Sequence, residues 1–441
     1  MVNYFKSYGI AVSFLLFLNI SFWYLGFEGG HIYLKDSYEY LHQAENLKTG
    51  NFWYSGDISK GFNKDLVSQR PPLYGVMILI FKSIISNDHF ILLMQCLVSV
   101  LIFSLVIKLL KVAGIRLSYP ILLFLPLIFF PTQLIYTNMV MSELLCQAMI
   151  SLSFYFLILF LIKHGIKDLF LFHIFLSLAI LTKPVWYLFW VPELVFMFYL
   201  VRNKRIRFLH LAFVLTPIGT VFLICLHNYN QTGYFHYSSV KRTNMVNYNV
   251  YLTLANKYDS TEAYHQMIDV RDTAETKGTY KEYCQYIESQ NNKIIMANLS
   301  TYLWLETKGV FNFFIDHGRF DMYCFFDFPP QENMNGIAWY YRQSGTKGVM
   351  EYLSRFALGL LIYLPIICLV NVFISFCFIF FLLNKRVALE IRLAAFLFVF
   401  YLALITGPIG AARFRMPVYP ILLFTLPFGI ATMKRIIKRN K

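Results

Sequence analysis

Asp36 and Glu39 stand three residues apart in the run Asp36-Ser37-Tyr38-Glu39-Tyr40, just past the first apolar stretch of the chain. On a helix that spacing puts both carboxylates on one face. Acids this close to a bilayer surface are costly to place and usually have work to do. One such work is general-base catalysis, in which a carboxylate takes the proton of an incoming hydroxyl. The same spacing is also a capping box, with Asp36 as N-cap and Glu39 reaching back, and spacing alone favours the cap.

Four further clusters combine charge with a position where charge is out of place. Arg70 precedes Pro71-Pro72-Leu73 at the headgroup level, where it meets a phosphate or merely snorkels. Glu143, after Ser142, opens an apolar segment; it either complements the helix N-terminus or gives a second acid facing the cavity of Asp36. Lys183, in Leu181-Thr182-Lys183-Pro184, is the one charge between two apolar runs, and a phosphate partner would relieve its cost. Arg413 and Arg415 sit in Gly407-Pro408-Ile409-Gly410-Ala411-Ala412-Arg413-Phe414-Arg415-Met416-Pro417. Glycine and proline there free backbone N–H groups, and two guanidinium forks beside them make an anion site. Glu193, inside an apolar run, has no evident partner in the sequence.

Other chemistries find no footing. The chain has no Gly-rich nucleotide loop, no HExxH, no G-x-S-x-G and no tight Asp-x-Asp pair. The ten histidines are dispersed, and the seven cysteines have no metal-type spacing. Cys284 and Cys324 share one polar segment and are open either to a disulfide or to two free thiols.

The elements that must position these residues lie in lipid. Of 441 residues, 58% are hydrophobic and 19% aromatic, with mean hydropathy +0.54. Apolar runs of this length cross a hydrocarbon core of about 30 Å, and backbone in lipid must bond to itself. The reading is an all-α polytopic integral membrane protein of about ten transmembrane helices. They are expected near 8–26, 89–107, 118–136, 142–162, 168–183, 185–201, 208–226, 355–383, 389–407 and 416–433. The first is read as a retained span, since no small-residue cleavage site follows it. Residues 72–86 are apolar but short, and are expected as a re-entrant or interfacial helix.

Net charge is +15, and its distribution is a topology signal. One set of connections and ends, from Lys6 through Arg116 and Arg207 to Lys441, carries 18 basic residues against Asp168 and Glu390. On the other side, loop 27–71 has 5 basic and 6 acidic residues, and loop 227–354 has 11 and 13. By the positive-inside rule both termini are cytoplasmic and both long loops extracytoplasmic, in a multi-pass plasma (inner) membrane protein. Nucleic acid is excluded as a partner. Three parts follow: an N-terminal transmembrane module 1–226 with a catalytic first outer loop 27–88, an extracytoplasmic loop domain 227–354 with a surface helix over Asp269–Gln290, and a C-terminal transmembrane module 355–441.

The order of short motifs resembles a known family. An acid follows the first span as Asp36-x-x-x-Tyr40; then come Arg70-Pro-Pro-Leu-Tyr74, Met141-Ser-Glu143-Leu-Leu145, Leu181-Thr-Lys183-Pro184, Asn228-Tyr229 and Arg413-Phe-Arg-Met-Pro417. This is similar to the GT-C membrane glycosyltransferases, in particular the family 39 protein-mannosyltransferase and lipid A aminoarabinose-transferase-like branch. Loop 227–354 matches only at its start. The resemblance implies an inverting hexosyl- or pentosyltransferase that uses a polyprenyl-phosphate-linked sugar donor and a lipid, glycan or protein acceptor. It places catalytic roles on Asp36 and Glu143, with Glu39 beside them, and donor-phosphate roles on Arg70, Lys183, Arg413 and Arg415. Tyr40 and Tyr74 become acceptor or sugar contacts. Relatives often have Asp at the position of Glu143 and Lys at that of Arg70. Built-in cations would replace a divalent ion, so no metal or other cofactor is expected to be required. An O-antigen-type polymerase or ligase and a non-enzymatic lipid-linked glycan transporter are the alternatives. The former relies on Arg and His of a late outer loop; the latter draws on Glu193 and the break at Pro408.

Overall fold

The computed structural model describes residues 2–29, 31–51, 53–326, 337–354 and 358–439. Lys441 and the first three residues of the expected span 355–383 lie outside the described residues. Helices make up the structure; the strand-like pairing among the described residues is an isolated bridge between Tyr54 and Val67.

Among the described residues, seven helices are long and apolar enough to cross a membrane: Ser7–Gly29, Asp88–Val112, Glu143–Lys163, Pro184–Arg202, Phe208–Thr232, Gly359–Leu382 and Ala412–Lys438. Each falls on an expected span. Two more, Ile166–Thr182 and Leu389–Ile405, have 17 residues each, about 25 Å of helix. The tenth expectation, an unbroken span over 118–136, is corrected. The chain there forms Pro120–Phe129 and Pro131–Thr137, bent by 85°. Pro120, Pro126 and Pro131 each open a short helical piece. A proline lacks the N–H that would join each piece to the one before.

This broken pair still carries the chain across the bundle. Gln95, early in Asp88–Val112, donates to the carbonyls of Thr137 (2.9 Å) and Met139 (3.0 Å), just ahead of Glu143–Lys163. Lys108, late in the same helix, lies 5.5 Å over the ring of Tyr155, well into Glu143–Lys163. The two helices therefore run parallel, and the segment between them must return the chain to the starting end. The short helix Pro72–Ile84 has 13 residues, about 20 Å, too little to cross.

At that starting end the polar segments interlock. Tyr283 donates to Asp65 (2.8 Å), Ser239 to the Asp65 carbonyl (2.9 Å), and Ser238 to the Gln69 carbonyl (2.8 Å). Segment 227–354 thus fixes the strand of chain that delivers Arg70. The surface helix expected over Asp269–Gln290 is two helices, Ser260–Glu275 and Tyr280–Ala297. Gly278 intervenes, and Thr279 starts the second with a capping box to Glu282. Cys284 and Cys324 are free thiols. Cys284 instead receives Arg242 Nη1 at 2.8 Å.

Candidate active site

Helix Lys35–Lys48 starts at Leu34, whose N–H donates to Ser37 Oγ at 2.9 Å. Ser37 does the capping, and the cap expected from Asp36 and Glu39 is absent. Both carboxylates are left free to face the same way, one turn apart. They meet Arg70, held at the entry to Pro72–Ile84. Its Nη2 lies 2.6 Å from Glu39 Oε2 and 2.9 Å from Asp36 Oδ1.

From Asp36 the charges continue in strict alternation. Asp36 Oδ2 is 2.8 Å from Arg413 Nη2. Arg413 Nε is 2.5 Å from Glu143 Oε1, which also receives Lys183 Nζ at 2.7 Å. The sequence Glu39, Arg70, Asp36, Arg413, Glu143, Lys183 is a row of three acids and three cations drawn from five separated stretches of chain. Side-chain exposure falls from 26% at Asp36 and 22% at Arg413 to 8% at Arg70 and none at Glu143. Asp36 and Arg413 are therefore the members a ligand reaches first. Glu143 Oε2 is buried and meets no hydrogen-bond partner among the described residues, an acceptor left open for a ligand's donor.

Each guanidinium rests on a tyrosine. Arg70 lies 5.0 Å over the ring of Tyr40, and Arg413 lies 5.3 Å over that of Tyr136. The hydroxyls behind the rings are pinned: Tyr40 to Ser142 Oγ at 2.6 Å, Tyr136 to Asp321 Oδ1 at 3.0 Å. Tyr40 and Tyr74 were expected as acceptor or sugar contacts. Both are wholly buried, and the Tyr74 hydroxyl donates to Gln95 Oε1. They are walls of the site.

Burial raises the Asp36 carboxyl, but Arg70, Arg413 and Lys183 together outweigh it and hold Asp36 well below the usual carboxylate range. Glu39 goes the other way. Burial raises it, and the neighbouring Asp36 charge adds to that against the pull of Arg70.

Arg415, expected to bind donor phosphate, is not in the row. It is 2% exposed, and its fork donates to the carbonyls of Phe313 (3.0 Å), Phe314 (2.5 Å) and Asp316 (3.0 Å). These are the last carbonyls of helix Leu299–Ile315 and the residue after it. A cation there meets the negative end of the helix dipole. Glu193 faces His173, Nε2 to Oε1 at 3.0 Å, both wholly buried between two helices. Sequence reasoning missed Tyr136 and Asp321. Tyr136 lies inside an apolar run, while Asp321 sits in the polar segment with no motif around it.

Among the described residues no three or more His, Cys, Asp or Glu side chains gather as a metal site would need. No family model and no curated protein matches the chain. Among solved structures it is similar to ArnT from Cupriavidus metallidurans in the apo state, at 10% identity and a TM-score of 0.38, over 92% of this chain and 77% of that one. That is a likeness in the course of the chain, from which neither family nor activity follows.

Proposed function

We propose that the chain is an inverting membrane glycosyltransferase of the GT-C type, moving a sugar from a polyprenyl-phosphate donor to an acceptor hydroxyl or amine on the extracytoplasmic face. The observation that carries the reading is the row itself. One acid that a ligand can reach lies between two arginines, and a lysine and a second acid stand behind them. The order of motifs that resembles that superfamily supports it independently.

The acceptor oxygen or nitrogen attacks C1 of the sugar from the face opposite the phosphate. The new bond forms as the C1–O bond to phosphate breaks, and its electron pair leaves on the phosphate oxygen. The acceptor's proton passes to Asp36. Arg70, Arg413 and Lys183 balance the charge that grows on the phosphate, in a site where low hydration strengthens them. In the resting row Asp36 is a weak base, because two guanidiniums hold it. A donor phosphate that draws those guanidiniums to itself releases Asp36, so the base gains strength only when donor is bound. Glu143 keeps Lys183 and Arg413 in place, and its open Oε2 can take a ligand hydrogen bond.

The transporter reading loses its two supports, since Glu193 faces His173 and the break at Pro408 is packed against helix Leu299–Ile315. The polymerase reading needs a late-loop Arg and His at the chemistry. Here Arg242 bonds to Cys284 and His236 to Ser68, and neither bonds to a member of the row.

The test is purified protein with a panel of radiolabelled polyprenyl-phosphate sugars and membrane-extract acceptors. Asp36→Asn keeps the shape and loses the base, so transfer should fall by roughly 10²–10⁴-fold while donor binding survives. Wild-type turnover in this variant removes the general-base role. For the outer placement, Tyr38→Cys, at an exposed neighbour of Asp36, should react in intact cells with a membrane-impermeant thiol reagent. Reaction only from the cytoplasmic side overturns the orientation.

A further inference from the structure

Arg413 stands in the first turn of the last span, Ala412–Lys438, and the chain reaches it through a turn at Gly407–Ile409. The backbone there passes through left-handed conformations at Gly407 (φ +68°) and Gly410 (φ +50°), which glycine tolerates and other residues resist. One short run of the polar segment, Phe313–Asp321, bonds to this entry to the span at several points.

That run grips in three places. Arg415 is tied to the carbonyls of Phe313, Phe314 and Asp316. The Asp316 carboxylate takes the Ala412 N–H at 2.6 Å, one residue from Arg413. Asp321, 5% exposed, takes Thr132 Oγ1 at 2.8 Å and the Tyr136 hydroxyl at 3.0 Å, and the Tyr136 ring lies under the Arg413 guanidinium. Backbone approach is close enough to exclude side chains. A Cβ on Gly309 would come 2.1 Å from the Gly407 carbonyl oxygen, and one on Gly318 (φ +71°) would come 2.2 Å from Thr132 Oγ1.

We propose that Phe313–Asp321 is a positioning clamp for Arg413, with Asp316 fixing its backbone and Asp321 fixing, through Tyr136, the surface on which its guanidinium rests. Asp316, Asp321 and Tyr136 are positioning residues; none belongs to the charged row. The catalytic part of this inference rests on the glycosyltransferase reading, and the mechanical part does not.

Two measurements separate them. The first is amide hydrogen exchange of peptides covering 407–416 in the purified full chain. Asp316→Asn and Asp321→Asn should each speed exchange there roughly tenfold, with peptides of Glu143–Lys163 unchanged. Unchanged exchange in both variants overturns the clamp, whatever the transfer assay gives. Should Asp321→Asn fail to fold, Tyr136→Phe removes only the hydroxyl and carries the same test. The second is a double-mutant cycle on sugar transfer. Asp321→Asn should lower kcat/KM roughly tenfold in the wild-type background and hardly at all in Arg413→Ala, because it acts through Arg413. Fully additive losses overturn the coupling. If the wild-type chain transfers no sugar, the glycosyltransferase reading falls and the exchange measurement still decides the clamp.

Discussion

Arg413 and Arg415 stand two residues apart and belong to different regions. Arg413 is partly open and bonded to two carboxylates, Asp36 and Glu143. Arg415 is sealed and bonded to backbone carbonyls. A carboxylate partner is exchangeable, since an incoming phosphate offers the same geometry and charge. Backbone carbonyls at a helix end offer no such trade, because leaving them orphaned in a buried place costs about 1–3 kcal/mol each. The partners therefore sort the two cations: Arg413 has bonds that an anion could replace, and Arg415 does not.

Within this comparison the largest effect should come from splitting the pair. Arg413→Ala should lower kcat/KM for transfer by roughly ten- to a hundredfold, the loss of a charged hydrogen bond worth about 1.5–3 kcal/mol. Arg413→Lys keeps the charge without the fork and should recover part of it. Arg415→Lys should do the reverse, with donor KM near wild type but a lower yield of folded protein, since one ammonium cannot reach three carbonyls as the fork does. If Arg415→Lys raised donor KM as much as Arg413→Lys, the division between the two regions would collapse.

A smaller, pH-dependent effect contrasts the acids of the two regions. Asp36 lies between cations and is held low. Asp321 has neutral hydroxyl partners, and burial, with the Asp316 charge adding and Thr132, Tyr136 and Arg413 opposing, leaves it raised to about 7. A carboxyl raised on folding contributes stability below its unfolded value near 4, and that contribution disappears as pH rises through about 7. The upper bound is on the order of 4 kcal/mol. Thermal inactivation of the purified protein should therefore set in at lower temperature at pH 8 than at pH 5.5. Asp321→Asn should flatten that slope. An unchanged slope in Asp321→Asn would assign it to other groups.

How much of this was legible in the sequence follows from what each feature depends on. Charges out of place in lipid stand out in one dimension, so Asp36, Arg70, Glu143, Lys183 and Arg413 were visible as residues. Which acid bonds which cation was not, because Asp36 and Arg413 are brought together from opposite ends of the chain. The N-cap was misplaced because the helix begins after Leu34, and the nearby Ser37 satisfies that terminus. Hydropathy averages over 118–136 and cannot register a bend, although Pro120, Pro126 and Pro131 were there to be read. Arg415 looked like Arg413 because its partners are backbone carbonyls, which every residue carries.

The smallest expected effect tests whether the row supplies its own countercharge. Asp36, Glu39 and Glu143 each lie within 3 Å of Arg70, Arg413 or Lys183. A divalent ion on Asp36 and Glu143 would have to expel Arg413, which joins them with bonds of 2.8 and 2.5 Å. Expelling it would lift the guanidinium off Tyr136 and strip the region of the feature that sets it apart from Arg415. A departing phosphate monoester needs its growing charge balanced, and two guanidiniums and an ammonium already at the spot can do that without a Lewis acid. Transfer measured in EDTA should therefore stay within about twofold of the untreated rate. Complete loss of transfer, restored by Mn²⁺ or Mg²⁺, would make Asp36 and Glu143 metal ligands and Arg413 the residue that moves aside, reversing which member of the row is exchangeable.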